Sequence, residues 1–264
     1  MNKSNIFSKL IRAWDLLTPP LRPNDEVVAA IGRELGGNRG PGLLLGSTME
    51  FAGLIDDLVA IDINPTMLSA LWRKDAPHRQ AVVGDWRRMP FAASTFSACI
   101  ADGSPTLMRW SEELQLFLEQ VAVVLQPGAT VVFRVFSAPD QAETIAAIKD
   151  ASLNRTIGSF HSYKWRIGMA LAATDRQFNT TFGAIYDAFH AMFPDRDRLV
   201  RDTGWSRPQI DAIEQYKDAA SLLSFPPRDA LAELASKSFA GVRFVDAGTY
   251  ELAERCPLLV MQRR

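Results

Sequence analysis

The chain has 264 residues, is 47% hydrophobic and carries a formal net charge of -1. That length buries a full core, as one large domain or one domain with an insertion, while the near-neutral charge gives no basic field and argues against a nucleic-acid binder. Its two cysteines, Cys99 and Cys256, lie far apart in apolar contexts, against a disulfide framework or a zinc site; with no apolar run of membrane-spanning length, and with Lys9, Arg12 and Asp15 where a signal peptide needs an apolar core, the expectation is a soluble cytoplasmic protein with no membrane or nucleic-acid partner.

Ile6, Phe7, Leu10, Ile11, Trp14 and Leu17 recur at helical spacing, so an amphipathic helix is expected to open the chain. It ends at TPPLRP, where prolines predict an extended passage. A second helix over 26–35 stops at the glycine pair Gly36 and Gly37. Strands are then expected at 43–45, 58–61, 80–83, 98–101 and 130–136, short and almost wholly apolar, as when helices cover both faces of a parallel sheet. Helices at 65–72, with proline in the first turn, and at 111–125 alternate with them. From 140 to 239 the pattern is helical, richer in polar residues and without a convincing strand. Two last strands, at 242–246 and 258–262, are joined by a link short enough for an antiparallel pair. Met67, Leu68, Leu71 and Trp72 form a helical stripe and read as core.

Three stretches carry the chemistry: PGLLLGSTMEFAGL, LVAIDINPTML and QAVVGDWRRMPF. Each reads as a buried strand delivering one residue at its carboxyl end, Gly46, then Asp62, then Asp85. In an open α/β sheet the ligand sits outside those ends, beside a switch in strand order. A glycine turn followed by two acidic strand tips suits a nucleoside, with one carboxylate for the ribose hydroxyls and one for a base edge. Plainer readings stand beside this one. Gly46 can be an ordinary turn, Asp62 can cap the helix starting at Pro65, Asp85 can cap its own turn, and Trp86 can fill space between helix and sheet.

The order of these motifs resembles the class I S-adenosylmethionine-dependent methyltransferases, over about 43–136 and the two C-terminal strands. The resemblance implies an α/β, Rossmann-like, seven-stranded and mostly parallel sheet, with an antiparallel C-terminal edge and a helical cap insertion. It implies one methyltransferase-like domain over 1–264, divided into N-terminal helices (1–40), a cofactor-binding core (41–139), the cap (140–239) and a strand pair (240–264). The cofactor would be S-adenosylmethionine. By resemblance, Gly46, Ser47, Thr48, Met49 and Glu50 wrap its methionine part, and Asp62, with Ile63 beside it, binds the ribose. Asp85 meets the adenine amine, Trp86 and Met89 flank the ring, and Asp102, Gly103 and Ser104 lie beneath the sulfonium. Where the family shows several glycines after the first strand, this chain has one. Serine and threonine hydroxyls would replace some glycine-loop contacts, and Glu50 would serve the amino group. Ser97 stands where the family often has aspartate.

The function expected is methyl transfer to a small or medium acceptor, a small-molecule substrate. His161, His190 and Asp102 are the candidate bases if that acceptor is a hydroxyl. The cap aromatics Phe160, Tyr163, Trp165, Phe189 and Trp205 would suit an apolar or planar acceptor, though rings at helical spacing are more often core. No metal site is expected. One rival is a nicotinamide-dependent dehydrogenase, because Asp62 lies about the twenty residues after Gly46 expected of a ribose-binding acid. Yet positions 46, 48 and 51 read Gly, Thr and Phe rather than G-x-G-x-x-G. The other rival is a non-catalytic protein of the same fold that binds a nucleoside or a partner.

Overall fold

Seven strands of four to ten residues assemble into one sheet. The computed structural model describes residues 11–37, 40–72 and 78–264. The strands are β1 (Gly42–Leu45), β2 (Leu58–Asp62), β3 (Arg79–Val83), β4 (Phe96–Asp102), β5 (Leu125–Arg134), β6 (Asn179–Thr181), β7 (Leu222–Ser224), β8 (Phe239–Val245) and β9 (Leu258–Arg263). Seven of them form the order β3-β2-β1-β4-β5-β9-β8, while β6 and β7 pair separately. The pairs from β3 to β5 are parallel. β9 runs antiparallel to both β5 and β8. The sheet therefore has the mixed topology that the sequence predicts, and its strand order reverses between β1 and β4.

Burial explains why these segments are strands. Successive residues of a strand point to opposite faces. Leu43, Leu45, Cys99, Ala101, Val131 and Phe133 enter one core; Leu44, Ala98, Ile100 and Val132 enter the core of the other face. The first core is closed by α3 (Glu112–Val124) and α9 (Arg228–Ala235), the second by α1 (Asp25–Leu35) and α2 (Pro65–Leu71). α1 starts on Asn24, whose side chain accepts from Val27 N–H, and stops at Gly36 with φ 61°. α2 starts on Asn64, which accepts from the backbone of both Thr66 and Met67.

Between β5 and β8 runs a helical insertion: α4 (Ile145–Leu153), α5 (Phe160–Ala172), α6 (Phe182–Met192), α7 (Arg196–Thr203) and α8 (Arg207–Asp211). It has its own core, in which Phe160 stacks on Tyr163 at 5.5 Å and packs against Phe189 and Trp205. Several boundaries differ from the sequence reading. β6 and β7 form a short antiparallel pair inside the insertion, too brief for a period-2 pattern to register. β5 begins at Leu125 directly after α3, earlier than the strand expected at 130–136. The chain around TPPLRP turns back on itself, with Thr18 O accepting from Leu21 and Arg22. Of the expected opening helix, Ile6, Phe7 and Leu10 lie outside the described residues, and Ile11–Leu16 is a 3-10 turn.

Phe117 on α3 is fully buried and carries the contact from the sheet to the site, meeting Phe133 at 6.0 Å and Trp86 at 6.3 Å. Phe117→Ala should cost about 3–5 kcal/mol through the cavity it leaves, read as a lowered denaturation midpoint, with Trp86 fluorescence changed in the folded variant.

Candidate active site

The carboxyl ends of β1, β2 and β4 are stitched together by backbone groups. Gly46 N–H donates to Ile61 O at 2.8 Å. The same carbonyl accepts the Trp86 indole N–H at 2.7 Å. Ser104 Oγ donates to Leu45 O at 2.8 Å, closing the gap where the strand order reverses. Gly46 has φ 107° and Gly103 has φ 69°, both in the region glycine alone enters easily. At Gly103 a Cβ would stand 2.6 Å from the Phe136 ring.

Above these ends lies a cavity of about 150 Å³. Its floor is Gly46, Ser47, Thr48, Asp62, Asp102 and Gly103, with Ser104 beside them. Across from the floor stand Trp14, Leu17 and Leu21 from the N-terminal stretch, Phe136 after β5, and Trp165, Phe182, Tyr216 and Leu223 from the insertion. A second cavity of about 80 Å³ adjoins it, lined by Asp62, Ile63, Asp85, Trp86 and Arg87 among others. Asp62, Trp86 and Leu107 line both, so Trp86 stands at the boundary with its ring orientation fixed by Ile61.

Asp62 is the exceptional carboxylate. Its Oδ1 accepts from Asn64 N–H at 2.8 Å, and among the described residues no cation pairs with it. Burial pushes its pKa up to about 6, against the pull of that backbone donor. Capping of α2 falls to Asn64, not to Asp62. Asp85, in contrast, grips a cation. Its oxygens take Arg87 Nε at 3.0 Å and Nη2 at 2.6 Å, and Oδ1 also accepts Arg87 N–H at 2.9 Å. Arg87 reaches on to Glu113 at 2.5 Å. Asp85 thus caps its own turn, as the plainer reading had it, and still faces the second cavity.

Asp102 is tied to Arg134, its register partner on β5, with Nε to Oδ1 at 2.5 Å. Burial raises the Asp102 pKa while Arg134 opposes the rise. Arg134 is fully buried; its guanidinium lies 5.3 Å from the Phe136 ring centroid, and Nη1 donates to Tyr250 Oη at 3.3 Å. A carboxylate so held is a poor base.

Of the remaining sequence candidates, Glu50 is ion-paired with Arg22 and does not line either cavity; its Oε2 is buried without a partner. Met89 is buried in the sheet core away from both cavities. His161 is buried in α5 with Nε2 2.8 Å from Leu16 O, and burial beside Lys164 lowers its pKa to about 3. His190 sits on the insertion near Arg196 and Glu214. Neither histidine lines the cavities. Lys164 is buried over the rings of Phe160 and Tyr216, its pKa lowered to about 7 by desolvation.

Among the expected insertion aromatics only Trp165 reaches the cavity; Phe160, Tyr163, Phe189 and Trp205 fill the core of the insertion itself. Phe136, Phe182, Tyr216 and Leu223 were not distinguished by the sequence pattern, which marks them as apolar without direction. Met67, which reads as core, is buried and also lines the larger cavity.

Residues 39–133 match the family profile described as "Methyltransferase domain". No curated protein matches the sequence. Among solved structures, the chain is similar to N-methyltransferase NodS from Bradyrhizobium japonicum in complex with S-adenosyl-L-homocysteine, at 14% identity and TM-score 0.54, covering 98% of each chain. It is similar to the CcbJ methyltransferase from Streptomyces caelestis at 12% identity and TM-score 0.56, over 100% of this chain and 99% of that one. A Rhodobacter sphaeroides protein provisionally assigned to the Zn-dependent alcohol dehydrogenases matches at 13% identity and TM-score 0.63, over 99% and 98%. At such identities the likeness is one of fold. The profile match covers residues 39–133, which span β1 to most of β5.

Asp102→Asn would leave the Arg134 charge buried without its counter-ion, which should destabilise the protein by about 3–5 kcal/mol. Chemical denaturation of this variant checks it, and a loss under about 1 kcal/mol would mean that water compensates Arg134.

Proposed function

We propose that this protein transfers the methyl group of S-adenosylmethionine to a small or medium-sized acceptor. Asp62 carries the reading. A half-buried carboxylate at a strand tip, open to two adjoining cavities and unpaired with any described cation, has one hydrogen-bond donor, the Asn64 N–H, and the ribose hydroxyls would supply more. The residues fit the cofactor in kind: Gly46, Ser47 and Thr48 for the methionine part, Asp62 and Ile63 for the ribose, Asp85 and Trp86 for the base. Asp102, Gly103 and Ser104 would lie beneath the sulfonium. Glu50, held by Arg22 outside the cavity lining, is not needed for this fit.

When bound, the cofactor supplies a methyl group already activated by sulfonium charge. What remains for the chain is to orient the partners and exclude water, and orientation contributes about 7 to 11 kcal/mol in the best intramolecular models. The cavity is suited to both. Its upper side is apolar, Asp102 is occupied by Arg134, and both candidate histidines lie elsewhere. No base is assigned in this scheme.

Calorimetric titration with S-adenosylmethionine tests the reading, with NAD as the comparison ligand. Tight binding of NAD alone would transfer the site to the dehydrogenase class, and binding of neither would leave a fold without its cofactor. Asp62→Ala should weaken S-adenosylmethionine by about 1.5–3 kcal/mol in a folded protein, the worth of hydrogen bonds to a charged group. Gly46→Val should abolish binding, since φ 107° excludes a β-branched side chain.

The pH dependence has a defined sign. Ribose hydroxyls donate to the ionised carboxylate, so affinity should fall as pH drops through about 6, the value to which burial raises Asp62. Conversely, the stability of the ligand-free protein should fall as pH rises from the unfolded carboxylate range through about 6, because folding then buries a charge. Asp62→Asn should flatten both profiles.

A further inference from the structure

Five rings from five separate segments converge on one side of the larger cavity: Trp14, Phe136, Trp165, Phe182 and Tyr216, with Leu223 beside them. Four of them are fixed in edge-to-face pairs. Phe136 meets Trp165 at 5.2 Å with 83° between planes, and Phe182 meets Tyr216 at 4.8 Å with 80°. Three rings also have a cation against them. Arg134 lies 5.3 Å from the Phe136 centroid, Arg22 lies 5.6 Å from that of Trp14, and Lys164 lies 4.9 Å from that of Tyr216. Rings filling an ordinary core touch one another across the space they close. Here they border about 150 Å³ of open volume.

The charge distribution narrows the occupant further. No described residue on this side of the lining is ionisable near neutral pH, and the two carboxylates, Asp62 and Asp102, are on the floor. An acceptor bearing a carboxylate would be desolvated with no counter-charge from the described lining residues. An ammonium would gain from the ring faces, but the cofactor brings a positive charge of its own to the same cavity.

We infer that this aromatic slot is the acceptor subsite and that it takes a flat, uncharged aromatic ring. The inference rests on the methyl-transfer reading of the floor and adds the chemistry of the second substrate. Edge-to-face pairing gives the slot rigid walls, which favour a ring over a flexible chain because little side-chain freedom remains to be lost on binding.

NMR titration of the protein saturated with S-adenosylhomocysteine tests it, using three matched probes: 4-methylphenol, 4-methylbenzoate and 4-methylbenzylammonium. The neutral probe should bind at least about tenfold more tightly than 4-methylbenzoate, the expected direction for an unpaired charge moved into an apolar site, and replacing S-adenosylhomocysteine by S-adenosylmethionine should bring the ammonium probe as far below the neutral one, because the sulfonium repels it. Leu223→Phe, which fills the slot, should remove probe binding, and Phe182→Leu, which opens one wall, should weaken it. S-adenosylhomocysteine affinity, measured separately by calorimetry, should be unchanged in both. 4-Methylbenzoate binding as tightly as the neutral probe, or the ammonium probe doing so beside S-adenosylmethionine, would overturn the inference, as would a neutral probe indifferent to both substitutions, while normal S-adenosylhomocysteine binding would keep the cofactor reading intact. Failure of the wild type to bind S-adenosylhomocysteine would remove the cofactor reading, and the inference with it.

Discussion

Parallel register is the constraint on which the site depends. Because β1 pairs with β2 on one side and β4 on the other, Leu45 stands level with both Ile61 and Ala101. The residues that follow, Gly46, Asp62 and Asp102, must therefore emerge along one edge. A slip of one residue in any of these strands would turn its apolar side chains to the opposite core and carry its strand-end residue out of line. Two cores of different composition hold the register from either face. The stability of the sheet and the placement of the carboxylates are consequently the same problem.

The three acidic strand tips then diverge in character through their neighbours alone. Asp85 takes a fork of hydrogen bonds from an arginine two residues on. Asp102 takes one from an arginine on the adjacent strand. Asp62 is followed by Ile63, Asn64 and Pro65, none of which brings charge, and the nearby backbone offers it one donor. Only this carboxylate retains strong unspent capacity for accepting hydrogen bonds, and it does so at the junction of the two cavities.

What could be read from the sequence follows from this division. Gly46, Asp62 and Asp85 were legible because strand, turn and helix signals are local, and a strand end is defined by the residues on either side of it. The antiparallel edge was legible from the shortness of the link before β9. The aromatic wall was not, because Phe136, Phe182 and Tyr216 meet only in three dimensions, and apolar residues at helical spacing look alike whether they face a core or a cavity. The partner of Glu50 was not legible for a related reason: Arg22, which pairs with it, lies 28 positions earlier. The identity of a second substrate and the oligomeric state have no local signature.

The carbonyl of Leu16 accepts from His161 Nε2 at 2.8 Å and from Gln209 Nε2 at 3.0 Å. One oxygen near the beginning of the chain thus gathers two donors from its final two-fifths. On the ribosome, the strand tips are complete once β5 has emerged, but the side of the cavity facing them needs Trp165, Phe182, Tyr216 and Leu223, which come later in synthesis. The floor can form as a nascent sheet; the chamber cannot. Enclosure of the site is a property of the finished chain, and residues 39–133, which carry the family likeness, hold only the half of it that the strand ends form.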